Sequence, residues 1–258
     1  MIIEKMKPQD YNLAIEYILS KKLVISPYIL INLSFYKEND PNFEFYYSKD
    51  NDDFLAFISV YYNNIQLWTS DAADYNELIS FIKTNKFKTV SAQINVLEKL
   101  KLNITNRGGI YCLDQYANDC NGNITIFKKP TDPDYYKIAV LMSMFSDIGS
   151  DPKERSKRYK ERNLSGMSRN YYCTNSDGEI IAHAGTHGES EYCAIIGGVV
   201  VHPDYRRNHI ATNLVQSLSH DLTYEKKTVY LVAFNEKAVD MYKKIGFIHY
   251  CSWGNATL

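Results

Sequence analysis

The sequence of 258 residues predicts an α/β protein assembled from two similar halves. Short runs of β-branched and aromatic residues alternate with segments whose apolar residues fall at helical spacing. Two openings share one order: IIEKMKPQDYNLAIEYI near the start and ITIFKKPTDPDYYKIAVLM near the midpoint each give a short apolar strand, a Lys-Pro turn, an Asp-Tyr pair and an apolar helix pattern. Between them YANDCNGNITIF carries Asn-Asp and Asn-Gly turn signals, so the boundary is expected near Asn121 to Asn123, dividing 1–121 from 122–258.

In the first half FEFYYS, FLAFISVYY and NIQLWT read as strands separated by the polar turns KDNDD and NN, followed by a helix in DYNELISFIKTN and a strand and short helix in KTVSAQINVLEKLKL. In the second half a helix around PDYYKIAVLMSMF precedes DPKERSKRYKERNL, whose basic residues fit the polar face of a helix or a connection. YYCTNSDGEIIAHAGT is a hairpin turning at Asp177 and Gly178. AIIGGVVV is almost wholly apolar and is expected to be buried on both faces. A helix over Ile210 to Leu222 carries Leu214, Val215, Leu218 and Leu222 at helical spacing. TVYLVAF is a strand, NEKAVDMYKKIG a helix closed by Gly246, and FIHYCSW a last strand.

An apolar share of 45%, with 22 Tyr and 11 Phe, supplies ample surface for packed cores. Formal net charge is −1, from 29 basic and 30 acidic residues, so no global field recruits nucleic acid or an anionic membrane. Charges interrupt the apolar residues of MIIEKMKPQDYNLAIEYILSKKL, which therefore reads as neither signal peptide nor membrane span, and a soluble cytoplasmic protein is expected. The cysteines Cys112, Cys120, Cys173, Cys193 and Cys251 form no C-x-x-C pair, so reduced structural thiols and no metal are expected.

The stretch VVVHPDYRRNHIATNLV, Val199 to Val215, has the layout of a phosphate-holding turn between strand and helix but contains no glycine. Pro203 stops the strand, Asp204 and Tyr205 turn the chain, and Arg206 leads into the helix. The first N–H groups of a helix lack internal partners and point outward at the positive end of its dipole, where an anion satisfies them. Two arginines at the same place add charge-assisted donors.

With AFNEKAVDMYKKIGF downstream, the order IIGGVVVHPDYRRNHIATNLV resembles the GNAT superfamily of acetyl-coenzyme A dependent N-acyltransferases, most closely from Gly197 to Phe247. That family's pyrophosphate loop, Arg/Gln-x-x-Gly-x-Gly/Ala, falls on Arg206, Arg207, Asn208, His209, Ile210 and Ala211; Arg206 and Ala211 match, and His209 stands where glycine is usual. A Cβ there narrows the approach of the backbone to pyrophosphate, but the N–H donors remain, so the cradle is expected to persist with altered affinity.

The resemblance implies a GNAT-like mixed, largely antiparallel sheet flanked by helices, in two tandem copies, with acetyl-coenzyme A as cosubstrate. It implies that the cofactor is held by Val199, Val200 and Val201 of a parted strand, by Arg206 to Thr212 of the turn and by Asn235 beside the pantetheine. It places Tyr242 near the thioester sulfur, where the hydroxyl serves as general acid. Asn235, Ala238 and Tyr242 also lie at helical intervals on one face; a core aromatic is the other reading of Tyr242, and tight packing the other reading of Gly197 and Gly198. The acceptor ammonium must lose a proton, and Glu191, before the buried strand, is the candidate base, with Glu189, His183 and His187 as alternatives.

The first half reads as a degraded copy, because SDAADYNEL follows NIQLWT and Asp71 and Asp74 repel pyrophosphate. It is expected to shape the substrate cleft or an oligomer interface, such as a homodimer's. The expected activity is transfer of an acetyl group to a primary amine of a small molecule or peptide in a ternary complex. A non-catalytic acyl-coenzyme A sensor or scaffold is the alternative, motivated by His209 and the absence of a clear base. Nucleic-acid binding through KERSKRYKER requires a basic surface that the balanced charge does not provide.

Overall fold

A computed structural model describes residues 2–35, 42–113, 127–145 and 151–258. The expected boundary at Asn121 to Asn123 and Cys120 lie outside them. The chain forms two compact units whose division is not a single cut: Met1–Tyr111 with Val232–Glu236 and His249–Leu258 make the first, and Cys112–Leu231 with Lys237–Ile248 the second.

The first unit runs β1 (Glu4–Lys5), α1 (Tyr11–Ser20), α2 (Pro27–Phe35), β2 (Phe43–Asp50), β3 (Asp53–Tyr61), β4 (Asn64–Thr69), α3 (Tyr75–Thr84), β5 (Thr89–Gln93), α4 (Ile94–Lys99) and β6 (Ile104–Leu113). Strands β2, β3 and β4 form an antiparallel meander, and β5 joins β4 in parallel after the α3 crossover. Tyr62 and Asn63, both at positive φ (48° and 64°), make the two-residue β3–β4 turn, whose twist matches that of the strands. Alternate residues Ile58, Val60, Ile65, Leu67 and Val90 meet Leu78 and Ile82 of α3 in a sealed core, each large apolar side chain contributing about 1.5–3 kcal/mol by burial.

The second unit runs α5 (Asp132–Ser143), α6 (Pro152–Leu164), β7 (Asn170–Thr174), β8 (Ile180–Glu189), β9 (Cys193–Val201), α7 (Ile210–Tyr224), β10 (Thr228–Ala233) and α8 (Glu236–Ile245). The plan repeats: an antiparallel β7–β8–β9 meander, a crossover helix, then β10 parallel to β9. Thr131 and Asp134 close a capping box at the start of α5. The basic run is a helix, α6, with Asp151 accepting from the Lys153 N–H at its start. Leu214, Val215, Leu218 and Leu222 of α7 are all buried, so the apolar stripe read from the sequence is the face packed on the strands. Each unit is thus a mixed, mostly antiparallel sheet flanked by helices, as expected.

Two expectations meet a different arrangement. The last strand, β11 (Ile248–Thr257), belongs with the first unit: Trp253 to Thr257 pair antiparallel with Gln93 to Thr89 of β5, and β11 lies between β5 and β6. The AIIGGVVV strand is sealed only over Cys193 to Ile196, while Gly197 to Val201 are half-buried. The reason lies in the ladder, since pairing with β10 ends at Ile196 and Leu231 and the strand runs on beyond it. Cys112, Cys173, Cys193 and Cys251 are buried. Among the described residues no helix is long and apolar enough to cross a membrane.

Candidate active site at the β9–α7 turn

Past Ile196, β9 keeps its β8 partner but changes step. Between the Gly185–Gly197 and His183–Val200 pairs β9 advances three residues while β8 advances two, and Gly198 takes the left-handed conformation (φ 61°) that accommodates the extra residue. A second irregularity, between the Thr186–Ile196 and Gly188–Ile195 pairs, leaves His187 as the extra residue of β8. The sequence showed the two glycines without showing which backbone feature required them.

His183 fastens the β9 bulge. Its Nδ1 lies 2.8 Å from the Gly198 carbonyl and its Nε2 3.0 Å from Asn170 Oδ1. Burial pushes its pKa down to about 4, so the ring is neutral and has one N–H. The Gly198 carbonyl can only accept, which puts that N–H on Nδ1; Nε2 then accepts, and the Asn170 amide must present its NH2. That orientation also employs Asn170 Nδ2, a buried donor otherwise without an acceptor.

At the end of β9 a short 3-10 turn, Pro203–Tyr205, is followed by Arg206 in extended conformation (φ −67°, ψ 162°). Arg206 is tied back: its Nε donates to the Val201 carbonyl (3.2 Å) and its guanidinium lies 5.3 Å from the centre of the Phe145 ring. Arg207 (φ 64°) and His209 (φ 58°) both adopt the left-handed conformation. His209 therefore holds the backbone shape that glycine favours, against a penalty of about 1–2 kcal/mol. The first helical bond of α7 runs from Asn213 N to His209 O (2.9 Å), and the His209 side chain caps nothing. Among the described residues no acceptor meets the N–H groups of Arg207 to Thr212. Arg206, Arg207, Asn208 and His209 are exposed, and Ile210, Ala211 and Thr212 half-buried.

The corresponding helix of the first unit is closed. At the start of α3, Asp74 Oδ1 accepts from Asn76 N (2.9 Å) and Glu77 N (3.3 Å). An aspartate thus occupies the donors that an anion would need, which gives the acidic turn after β4 a sharper meaning than repulsion alone.

Further along the second unit, Tyr242 of α8 is 8% exposed and packs edge-on against Phe247 (6.0 Å). Burial raises its pKa to about 12. Its hydroxyl has no hydrogen-bond partner among the described residues, yet it is not among the polar atoms sealed from solvent. Asn235 is exposed and stands directly before α8 in the connection from β10, so it precedes the helical face that Ala238 and Tyr242 share.

Glu191 does not join these residues. It is exposed in the β8–β9 turn, before Cys193, and Cys193 itself stands about 13 Å along the strand from Gly197 at 3.3 Å per residue. Glu189 is buried but saturated: Arg169 Nε and Nη2 (2.8 and 2.7 Å), Lys227 Nζ (2.8 Å) and Thr186 Oγ1 (2.8 Å) all donate to it. Burial pushes its pKa up, and the Arg169 and Lys227 bonds outweigh this and hold it below the ordinary value. A carboxylate so occupied is structural.

A parallel-strand parting, a kinked strand with half-buried main chain and an open helix start flanked by arginines follow one another along β9 and into α7. Residues 138–247 match the family model described as "Acetyltransferase (GNAT) family", a class that uses acetyl-coenzyme A as cosubstrate. Its architecture is similar to that of a tandem GNAT protein from the clavulanic acid biosynthesis pathway (12% identity, 100% of this chain and 98% of that one, TM-score 0.65). It is also similar to a GNAT-family acetyltransferase from Colwellia psychrerythraea (13%, 100% of both chains, TM-score 0.63) and to a Drosophila protein (13%, 100% and 98%, TM-score 0.72). No curated protein matches the sequence.

Proposed function

We propose that the second unit binds acetyl-coenzyme A and transfers its acetyl group to a primary amine. The observation that carries this reading is the set of amides at Arg207 to Thr212, without protein acceptors among the described residues, at the positive end of α7. The pyrophosphate is held by these donors with Arg207, while Arg206 braces the turn. The pantetheine pairs with main chain at Val199, Val200 and Val201, beyond the last β10 partner. An N–H of that segment polarises the thioester carbonyl and steadies the oxyanion.

Tyr242 serves the departing sulfur. Its hydroxyl, at about 12, stays protonated through the neutral range. Complete transfer of its proton to a thiolate of ordinary pKa, about 8.5, runs uphill by about 5 kcal/mol. Its role is therefore a hydrogen bond that strengthens as charge grows on sulfur, with the final proton coming from solvent. Glu191 receives no role, because of its position.

Calorimetric titration with acetyl-coenzyme A tests the reading and should give one site per chain. Thiol release in the presence of amino acids, polyamines, aminoglycosides and peptides then tests transfer. Failure to associate at millimolar concentration refutes the proposal, and association without thiol release from any acceptor supports the sensor reading instead.

A further inference from the structure

The acceptor must lose a proton, and the residue expected to take it, Glu191, lies out in the β8–β9 turn. A side chain at the bulge itself meets the need. His187 is the extra residue of β8, and strand irregularities of this kind re-aim the side chain they carry. Here the ring is turned onto β9: a Cβ on Gly197 would overlap Cδ2 and Nε2 of the imidazole. The ring thus lies directly against bare backbone, at the first β9 residue beyond the β10 ladder and next to left-handed Gly198.

The two histidines of β8 differ in what they can do. His183 has both nitrogens engaged and is sealed from water, so it positions the bulge and cannot exchange protons. His187 is exposed, and neither ring nitrogen has a hydrogen-bond partner among the described residues. Its carbonyl accepts from the Arg162 guanidinium of α6, which fixes the bulge. Crowding by the surrounding chain, then the Arg162 cation, press the imidazole pKa below its ordinary value. Arg162 from α6 and His183 from β8 are the charged or titratable groups that bear on it; Gly197 and Gly198 of β9 bring none.

We propose that His187 is the general base of acetyl transfer, taking the proton of the acceptor ammonium beside Gly197. This rests on the acetyltransferase reading above. The imidazole, on an exposed residue, passes that proton to solvent, and the freed lone pair forms the C–N bond at the thioester carbon. The C–S bond breaks as the nitrogen releases its second proton, and the thiolate gains one from solvent. The net change is one amide, one thiol and one proton. Gly197 is required because any side chain there displaces the base.

Two measurements on the full chain decide the matter. Diethyl pyrocarbonate modification, mapped by peptide mass, should label His187 readily, and saturating acetyl-coenzyme A should slow that labelling at least tenfold. His220 and His249, also exposed, should react equally with and without it. Labelling of His187 that is unchanged by bound thioester overturns the proposal. His187→Gln should keep the acetyl-coenzyme A Kd within about twofold, lower kcat about 10²–10⁴-fold and abolish the acidic limb of the kcat/KM profile. Unchanged turnover, or an acidic limb that persists in the variant, overturns the assignment while leaving acetyl transfer intact. Binding without transfer to any amine overturns the base and keeps the cofactor site; a chain that does not bind acetyl-coenzyme A removes the acetyltransferase reading itself.

Discussion

His209→Gly isolates the backbone's part in anion binding. His209 sits at φ 58°, where a residue with a Cβ is less stable than glycine by about 1–2 kcal/mol. Glycine in turn loosens the unfolded chain, returning about 0.4–1 kcal/mol of that gain. The difference is a net stabilisation of about 1 kcal/mol, or about 2–4 °C in Tm for a chain of this size. Removing the Cβ also opens the approach to the amides, so acetyl-coenzyme A should bind as tightly as to wild type or a few-fold more tightly. Differential scanning calorimetry and isothermal titration measure the two effects, with His209→Ala as the control that loses the ring and keeps the strain; it should change neither. A fall in Tm for the glycine variant refutes the left-handed assignment. Loss of affinity in both variants shows that the imidazole, and not the main chain, grips the phosphate.

Tyr242→Phe should leave acetyl-coenzyme A affinity unchanged and lower kcat about 10–100-fold. Because the hydroxyl titrates near 12, any alkaline limb between pH 8 and 10 should be identical in the two proteins, as a pH–rate series will show. Asp74→Ala removes the cap of α3 and should cost about 1 kcal/mol in chemical denaturation, while titration still gives one acetyl-coenzyme A per chain. His183 gives a signed pH effect: its folded pKa, about 4, lies below the unfolded value near 6.5, so the folded chain resists protonation. Stability is complete above pH 6.5 and falls as pH drops toward 4, by about 3 kcal/mol in total. Urea midpoints at pH 7, 5.5 and 4.5 should show that loss, and His183→Asn, which keeps a donor for the Gly198 carbonyl, should flatten it.

Local order was readable wherever a period or a turn residue fixes it. Leu214, Val215, Leu218 and Leu222 announced α7 and its buried face, and Asp177 and Gly178 announced the β7–β8 hairpin. What escaped depends on partners distant in the chain. An apolar run such as FIHYCSW says that a strand wants neighbours without saying which, so the pairing of β11 with β5 was hidden. The burial of AIIGGVVV was overestimated because its pattern does not reveal where β10 stops. Glu191 drew notice by closeness in sequence to β9, but a strand extends quickly and carries its two ends far apart. His187 became distinct only once the register slip showed which way its ring is turned; in the sequence, the sole signal was a histidine ten residues before a glycine pair.

The placement of β11 bears on how the polypeptide acquires its structure during synthesis. The gap between β5 and β6 is filled by residues that follow the second unit in the chain, so the amino-terminal unit waits, unfinished, for the whole second unit to be made. A fragment ending at residue 121, or a chain lacking residues 249–258, would leave bare the strand edges that β11 covers. Dissecting this protein into separately produced halves is therefore a route to aggregates, unless the terminal strand is grafted back onto the first.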